Sequence, residues 1–120
     1  MEYPFQDEAD FEAEITVLTC EQGGRRTPAF NGIRWDFRYI EDDLSEGLYM
    51  IHPTFLDQSG NPIPKIQPLS GTLPARMLII VREMVDYHRQ RISVGTEFYC
   101  HEGRQVVATG TVTKLLAQRA

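Results

Sequence analysis

From Phe11 to Val17 apolar and polar residues alternate: Phe11, Ala13, Ile15 and Val17 against Glu12, Glu14 and Thr16. A period of two turns one face of a strand inward and leaves the other in water. Ile33, Trp35, Phe37 and Tyr39 alternate with Arg34, Asp36 and Arg38 in the same way. Phe98 and Cys100 alternate with Tyr99 and His101 just before Glu102-Gly103, a turn signal, and Gln105 to Leu116 follows, rich in Val and Thr. That pair predicts a hairpin, with Gly110 marking a bulge or bend in its second strand.

Two stretches break the pattern. Met77 to Val81 is a continuous apolar run that suits a buried strand, although Met77, Ile80, Val81, Met84 and Tyr87 also fit a helical stripe. The β-branched residues and the strand-rich neighbours favour the strand. Asp57 to Pro74 holds Pro62, Pro64, Pro68 and Pro74 with Gly60 and Gly71, which predicts a long ordered loop. Several strands separated by Gly and Pro turns imply an all-β fold, a small barrel or sandwich. Closure would remove the pairing-competent edges that an open sheet leaves.

The 120 residues suit one domain, large enough to bury a core without disulfides or metal. The net charge of −5 argues against generic attraction to nucleic acid or an acidic membrane. It is unevenly spread. Residues 1–21 carry seven acids and no Lys or Arg, whereas 22–38 stand at +3, 39–75 at −4 and 76–120 at +3. Overall acidity therefore hides two basic segments. Residues 1–10 read as an acidic arm ahead of a barrel over 11–120, with Tyr3, Pro4 and Phe5 either a short recognition motif or a cap on the barrel end. The start has no basic-then-apolar segment and the chain has no 18-residue apolar run, so neither a signal peptide nor a membrane helix is expected. With only Cys20 and Cys100, the expectation is two reduced thiols in a cytoplasmic protein.

Three segments carry a resemblance. Phe11-Glu-Ala-Glu-Ile-Thr-Val-Leu18, then Glu21-Gln-Gly-Gly-Arg-Arg-Thr-Pro28, then Phe30-Asn-Gly-Ile-Arg-Trp-Asp-Phe37 resemble the start of the third domain of elongation factor Tu. That domain opens with an acidic alternating strand, a Gly-Gly-Arg-His-Thr-Pro loop and a Gly-Tyr-Arg-Pro-Gln-Phe strand. Glu102-Gly103, Gly110 and Val112 to Leu116 look like its closing Arg-Glu-Gly-Gly hairpin and last strand. The matches cover about half the chain. The resemblance implies a small six-stranded antiparallel β-barrel, here with a Pro-rich loop inserted at 57–74. It implies no catalysis, since nucleotide hydrolysis in that family belongs to a separate domain. No Gly-x-x-x-x-Gly-Lys-[Ser/Thr] loop exists in these residues, and no GTPase activity is expected.

In that family the domain meets the T stem of aminoacyl-tRNA, its own GTPase domain and the exchange factor Ts. Carried over by position, Arg25 matches the loop Arg, and Arg26 replaces the loop His with a permanent charge. Glu102 and Gly103 match the hairpin turn, and Arg104 takes the place of its second Gly. Asp36 stands where the family has Gln and would repel phosphate. His101 stands where it has Arg and loses a fixed charge at neutral pH.

The candidate binding residues are therefore Arg25, Arg26, Arg34, Arg38, Glu102, Gly103 and Arg104. An Arg cluster suits phosphate or carboxylate through its planar fork. The plainer reading is strand-face arginines paired to nearby acids. Gly23-Gly24 reads as a hairpin turn, lacking the Lys and helix of a phosphate loop. Trp35, Phe37 and Tyr39 read as core rather than as a base-stacking platform. Cys100 and His101 point to opposite strand faces and form no nucleophile pair. His52, His88 and His101 have no metal-ligand spacing. Neither cofactor nor metal is expected. The leading expectation is a non-enzymatic module for a protein partner or for self-association, in a sharper version a decoy or immunity-type protein. The alternative is an RNA- or tRNA-binding accessory of translation, weakened by Asp36 and His101.

Overall fold

A computed structural model describes residues 9–116. Six strands, β1 (Phe11–Val17), β2 (Trp35–Tyr39), β3 (Tyr49–Phe55), β4 (Gly71–Ile79), β5 (Glu97–Glu102) and β6 (Gln105–Leu115), close into one barrel. Their order around it is β1-β4-β3-β2-β5-β6, every pair antiparallel. This is the six-stranded all-β barrel of the sequence reading. Every strand has two neighbours, so no free edge invites further pairing.

The alternation in the sequence becomes inside and outside. Phe11, Ala13 and Ile15 of β1 are buried, as are Trp35, Phe37 and Tyr39 of β2. Phe37 stacks on Phe98 with centroids 4.6 Å apart, and Phe11 meets both rings edge-on at 6.3 and 6.4 Å. Gly110 is paired without interruption to Ile15 and Phe98. It is therefore no bulge. A Cβ there would lie 2.3 Å from Phe98 Cζ, so the glycine makes room for the ring. The bulges fall elsewhere on β6. Val107 is the extra residue opposite Cys100/His101, and Thr113 the extra residue opposite Glu12/Ala13.

The two ends of the barrel are closed differently. At the Tyr39 end, β4 stops after Ile79, a 3-10 turn covers Arg82–Met84, and helix α1 runs Val85–Arg91. Met77–Ile79 of the apolar run is thus strand, but Ile80 and Val81 lie beyond it in a bend, and helix follows where the sequence reading placed no helix. Its buried side is Val85 and His88 with Ile92 beyond, rather than Met84 and Tyr87. Asp42 grips Arg91 through two bonds of 3.0 Å, and the guanidinium lies 3.7 Å from the Tyr39 ring centroid. At the Trp35 end the Pro-rich segment plugs the barrel with Ile63 and Leu69, which join the core beside Ala29.

That segment ends earlier than the prolines suggest, because Gly71 to Pro74 already belong to β4 and pair with β1. Pro53 and Pro74 are tolerated in strands for a local reason. Phe55 N–H points away from β4 to Asn31 Oδ1 (2.7 Å), so by alternation the missing N–H of Pro53 lies on that side too, beyond the start of β2. Pro74 C=O accepts from Leu56 N–H past the end of β3 (2.9 Å), on the side where its own N–H is missing. Asn31 stands in for the absent strand. Its Nδ2 donates to Phe55 O (2.8 Å) and Ile63 O (2.9 Å) from a site 5% exposed.

Tyr3, Pro4 and Phe5 lie outside the described residues. Asp10 belongs to the barrel rather than to an arm: its N–H donates to Met77 O (2.7 Å), and its carboxylate accepts from Ile79 N–H (2.8 Å) and pairs with Arg82 (2.8 Å). No helix among the described residues is long and apolar enough to cross a membrane.

Candidate binding surface

The loop after β1 begins as a 3-10 turn, Cys20–Gln22, fixed by a capping box. Thr19 Oγ1 accepts from Gln22 N–H (3.2 Å), and Gln22 Oε1 accepts from Thr19 N–H (2.9 Å). Gly23 ends the turn in a left-handed conformation, φ 92°. Gly23-Gly24 is therefore not a hairpin turn. The strands on either side of it, β1 and β2, are not neighbours in the barrel. Gly24 permits close packing, since a Cβ there would lie 2.5 Å from Leu18 O.

This loop is fastened to the β5–β6 turn. Gln105 Nε2 donates to Gly23 O (3.0 Å) and Gly24 O (2.9 Å). Arg25 forms an ion pair with Glu102, whose same carboxylate oxygen accepts from the Trp35 indole N–H at 2.9 Å. Arg25 is held further by Thr27, through its backbone O and its hydroxyl, both at 3.2 Å. Glu102 thus ties loop, turn and core aromatic together. Glu102↔Gln105 pairing leaves Gly103 and Arg104 as a two-residue turn, Gly103 at φ 59° and both exposed.

Five of the sequence-derived candidates, Arg25, Arg26, Glu102, Gly103 and Arg104, therefore share one surface. The other two do not. Arg38 is turned to internal work: its Nε donates to His101 Nε2 (3.0 Å), its Nη1 donates to Asp42 O (2.8 Å), and it lies over Tyr99 at 4.5 Å. Arg34 is exposed just ahead of β2, on the side facing β3, where it and Lys65 help burial hold the His52 pKa down.

His101 is 1% exposed and accepts the Arg38 N–H, which requires an unprotonated Nε2. Burial first, and Arg38 next, lower its pKa. With Nε2 accepting from Arg38, it does not supply the fixed charge of an arginine here. Cys100 is wholly buried and burial pushes its thiol up, away from the reactive thiolate. His88 is buried against Tyr39, its Nδ1 2.7 Å from the phenol oxygen. Burial and then Arg91 bring its pKa down to about 4, and burial raises that of Tyr39, so the pair is neutral. Trp35, Phe37 and Tyr39 are 2%, 2% and 0% exposed and offer bases no platform.

Sequence reasoning missed Asn31, Gln105 and the Asp42–Arg91 clamp. An Asn-Gly step at 31–32 marks a turn, but nothing local says that its amide will cap a strand 24 residues on. No protein-family model matches the chain.

Proposed function

We propose that the chain is a non-enzymatic binding module, a barrel resembling the third domain of elongation factor Tu, that engages a protein partner. A decoy or immunity-type role is the sharper form of this reading, and the cytoplasm is its expected setting. One observation carries it: two of the stretches that carry the resemblance, the loop ending at Pro28 and the Glu102-Gly103 turn, are locked into one surface by Glu102 and Gln105. That surface has mixed charge, with Arg25 already offset by Glu102, which suits a protein better than a polyanion. The groups best fitted to catalysis, Cys100 and His88, are buried in structural roles.

An RNA reading is favoured by Arg26, Arg34 and Arg104, which are exposed and make no ion pair among the described residues. A tRNA titration at low and high salt separates the two. Absence of tRNA binding at low salt, with RNase-insensitive capture of one protein from lysate, agrees with the module. Binding of tRNA that weakens steeply as salt rises would replace it by the RNA reading.

A further inference from the structure

β1 and β4 separate beyond the Val17↔Gly71 pair. Leu18 N–H follows β6, donating to Val107 O (3.0 Å), whereas Leu69 N–H turns to Ala29 O (2.8 Å). Between the diverging chains lies an open groove of about 240 Å3. Its apolar lining comes from Val17, Leu18, Pro28 and Leu69, and Arg25 and Arg26 stand on one wall with no acid among the lining residues. Thr19, Thr27 and Ser70 add hydroxyls.

We infer that this groove binds a short extended peptide of the partner, one carrying an acidic side chain beside aliphatic residues. The inference rests on the partner-binding reading and names its site. Three features select that occupant. The cavity is smaller than the roughly 300–1,000 Å3 of small-molecule sites, which suits a few side chains rather than a cofactor. Apolar lining with cations on one wall matches an aliphatic residue next to a carboxylate, the pairing that places charge and shape together. Arg25 is held in place by Glu102 and Thr27, and Arg26 is exposed, so the wall offers one carboxylate a partner but lacks the row of free cations that a phosphate backbone needs.

Cys20 makes the test possible in the unaltered chain. It lines the groove and is exposed, while Cys100 is buried and serves as an unreactive internal control. Capped hexapeptides alternating Val with Glu, Gln or Lys are titrated by fluorescence anisotropy, and alkylation of Cys20 by iodoacetamide is followed at saturation. The expected result is that the Glu peptide binds at least about threefold more tightly than the Gln peptide and slows Cys20 alkylation, while the Lys peptide does neither. Arg26→Glu, at an exposed position that leaves the fold intact by thermal unfolding, reverses the Glu-over-Lys order. Equal binding of the Glu and Gln peptides, or binding without protection of Cys20, overturns the inference. Protection by tRNA and by none of the peptides overturns it in favour of nucleic acid. Failure of every peptide while Arg26→Glu still captures the wild-type partner from lysate removes the groove and leaves the binding module standing.

Discussion

Gly110→Ala adds a single methyl where β6 crosses the aromatic centre of the barrel. The new carbon would lie 2.3, 2.6 and 2.9 Å from three carbons of the Phe98 ring. Carbon atoms prefer about 3.5–4.0 Å, so ring or strand must give by about 1 Å. The ring has nowhere to go, being 1% exposed, stacked on Phe37 at 4.6 Å and edge-on to Phe11 at 6.4 Å. Overpacking of this kind costs about 1–3 kcal/mol. Against it, loss of the glycine's freedom in the unfolded chain returns about 0.4–1 kcal/mol. The net expectation is a loss of about 1–2 kcal/mol, seen as a melting temperature lower by about 5–10 °C. Urea unfolding followed by the fluorescence of Trp35, the only tryptophan, measures it. Phe98→Leu alone opens space and also destabilises. Combined with Gly110→Ala it relieves the clash, so the two changes together cost less than their sum by at least about 0.5 kcal/mol. A fully stable Gly110→Ala, or strict additivity in the double variant, would refute the account of why a glycine stands there.

Three further expectations concern the ends of the barrel. Asn31→Ala strips three hydrogen bonds from the backbones of Phe55 and Ile63 and should cost about 2–4 kcal/mol in denaturant unfolding, the barrel otherwise keeping its circular dichroism. Asp42→Asn removes the charge that fixes Arg91 over Tyr39; amide exchange in α1 should quicken by roughly tenfold while that in β1 and β6 is unchanged. Because the folded His88 resists protonation until about pH 4, the unfolded chain takes up the proton first as pH falls below its ordinary value of 6.5. Stability contributed by neutral His88 is therefore intact above that value and declines between 6.5 and about 4, by at most about 3 kcal/mol. His52 and His101, also lowered, act with the same sign. His88→Asn should flatten the slope of stability against pH in this window, and an unchanged slope would mean that His88 is not the group responsible.

What the chain states locally, it states well. Period-two alternation marks Phe11–Val17 and Trp35–Tyr39 because half-buried strands must face a core and water by turns, and the Glu102-Gly103 step marks the β5–β6 turn. The strand character of Met77–Ile79 was legible from its β-branched, continuous apolar run. Decisions made by neighbours were not legible. Pro53 and Pro74 argue against strands on local grounds, yet both sit in them, because the missing N–H falls where the adjacent strand is not. Gly110 announces a special position but not its reason, which is a ring supplied by β5. Arg25, Arg34 and Arg38 look alike in sequence. The fold gives the first an ion pair at the surface, the second an exposed place facing β3, and the third a set of internal bonds to His101 and Asp42. A side chain's type and its alternation are properties of the chain itself. Its partner depends on which strands the barrel sets side by side, and closure alone decided that.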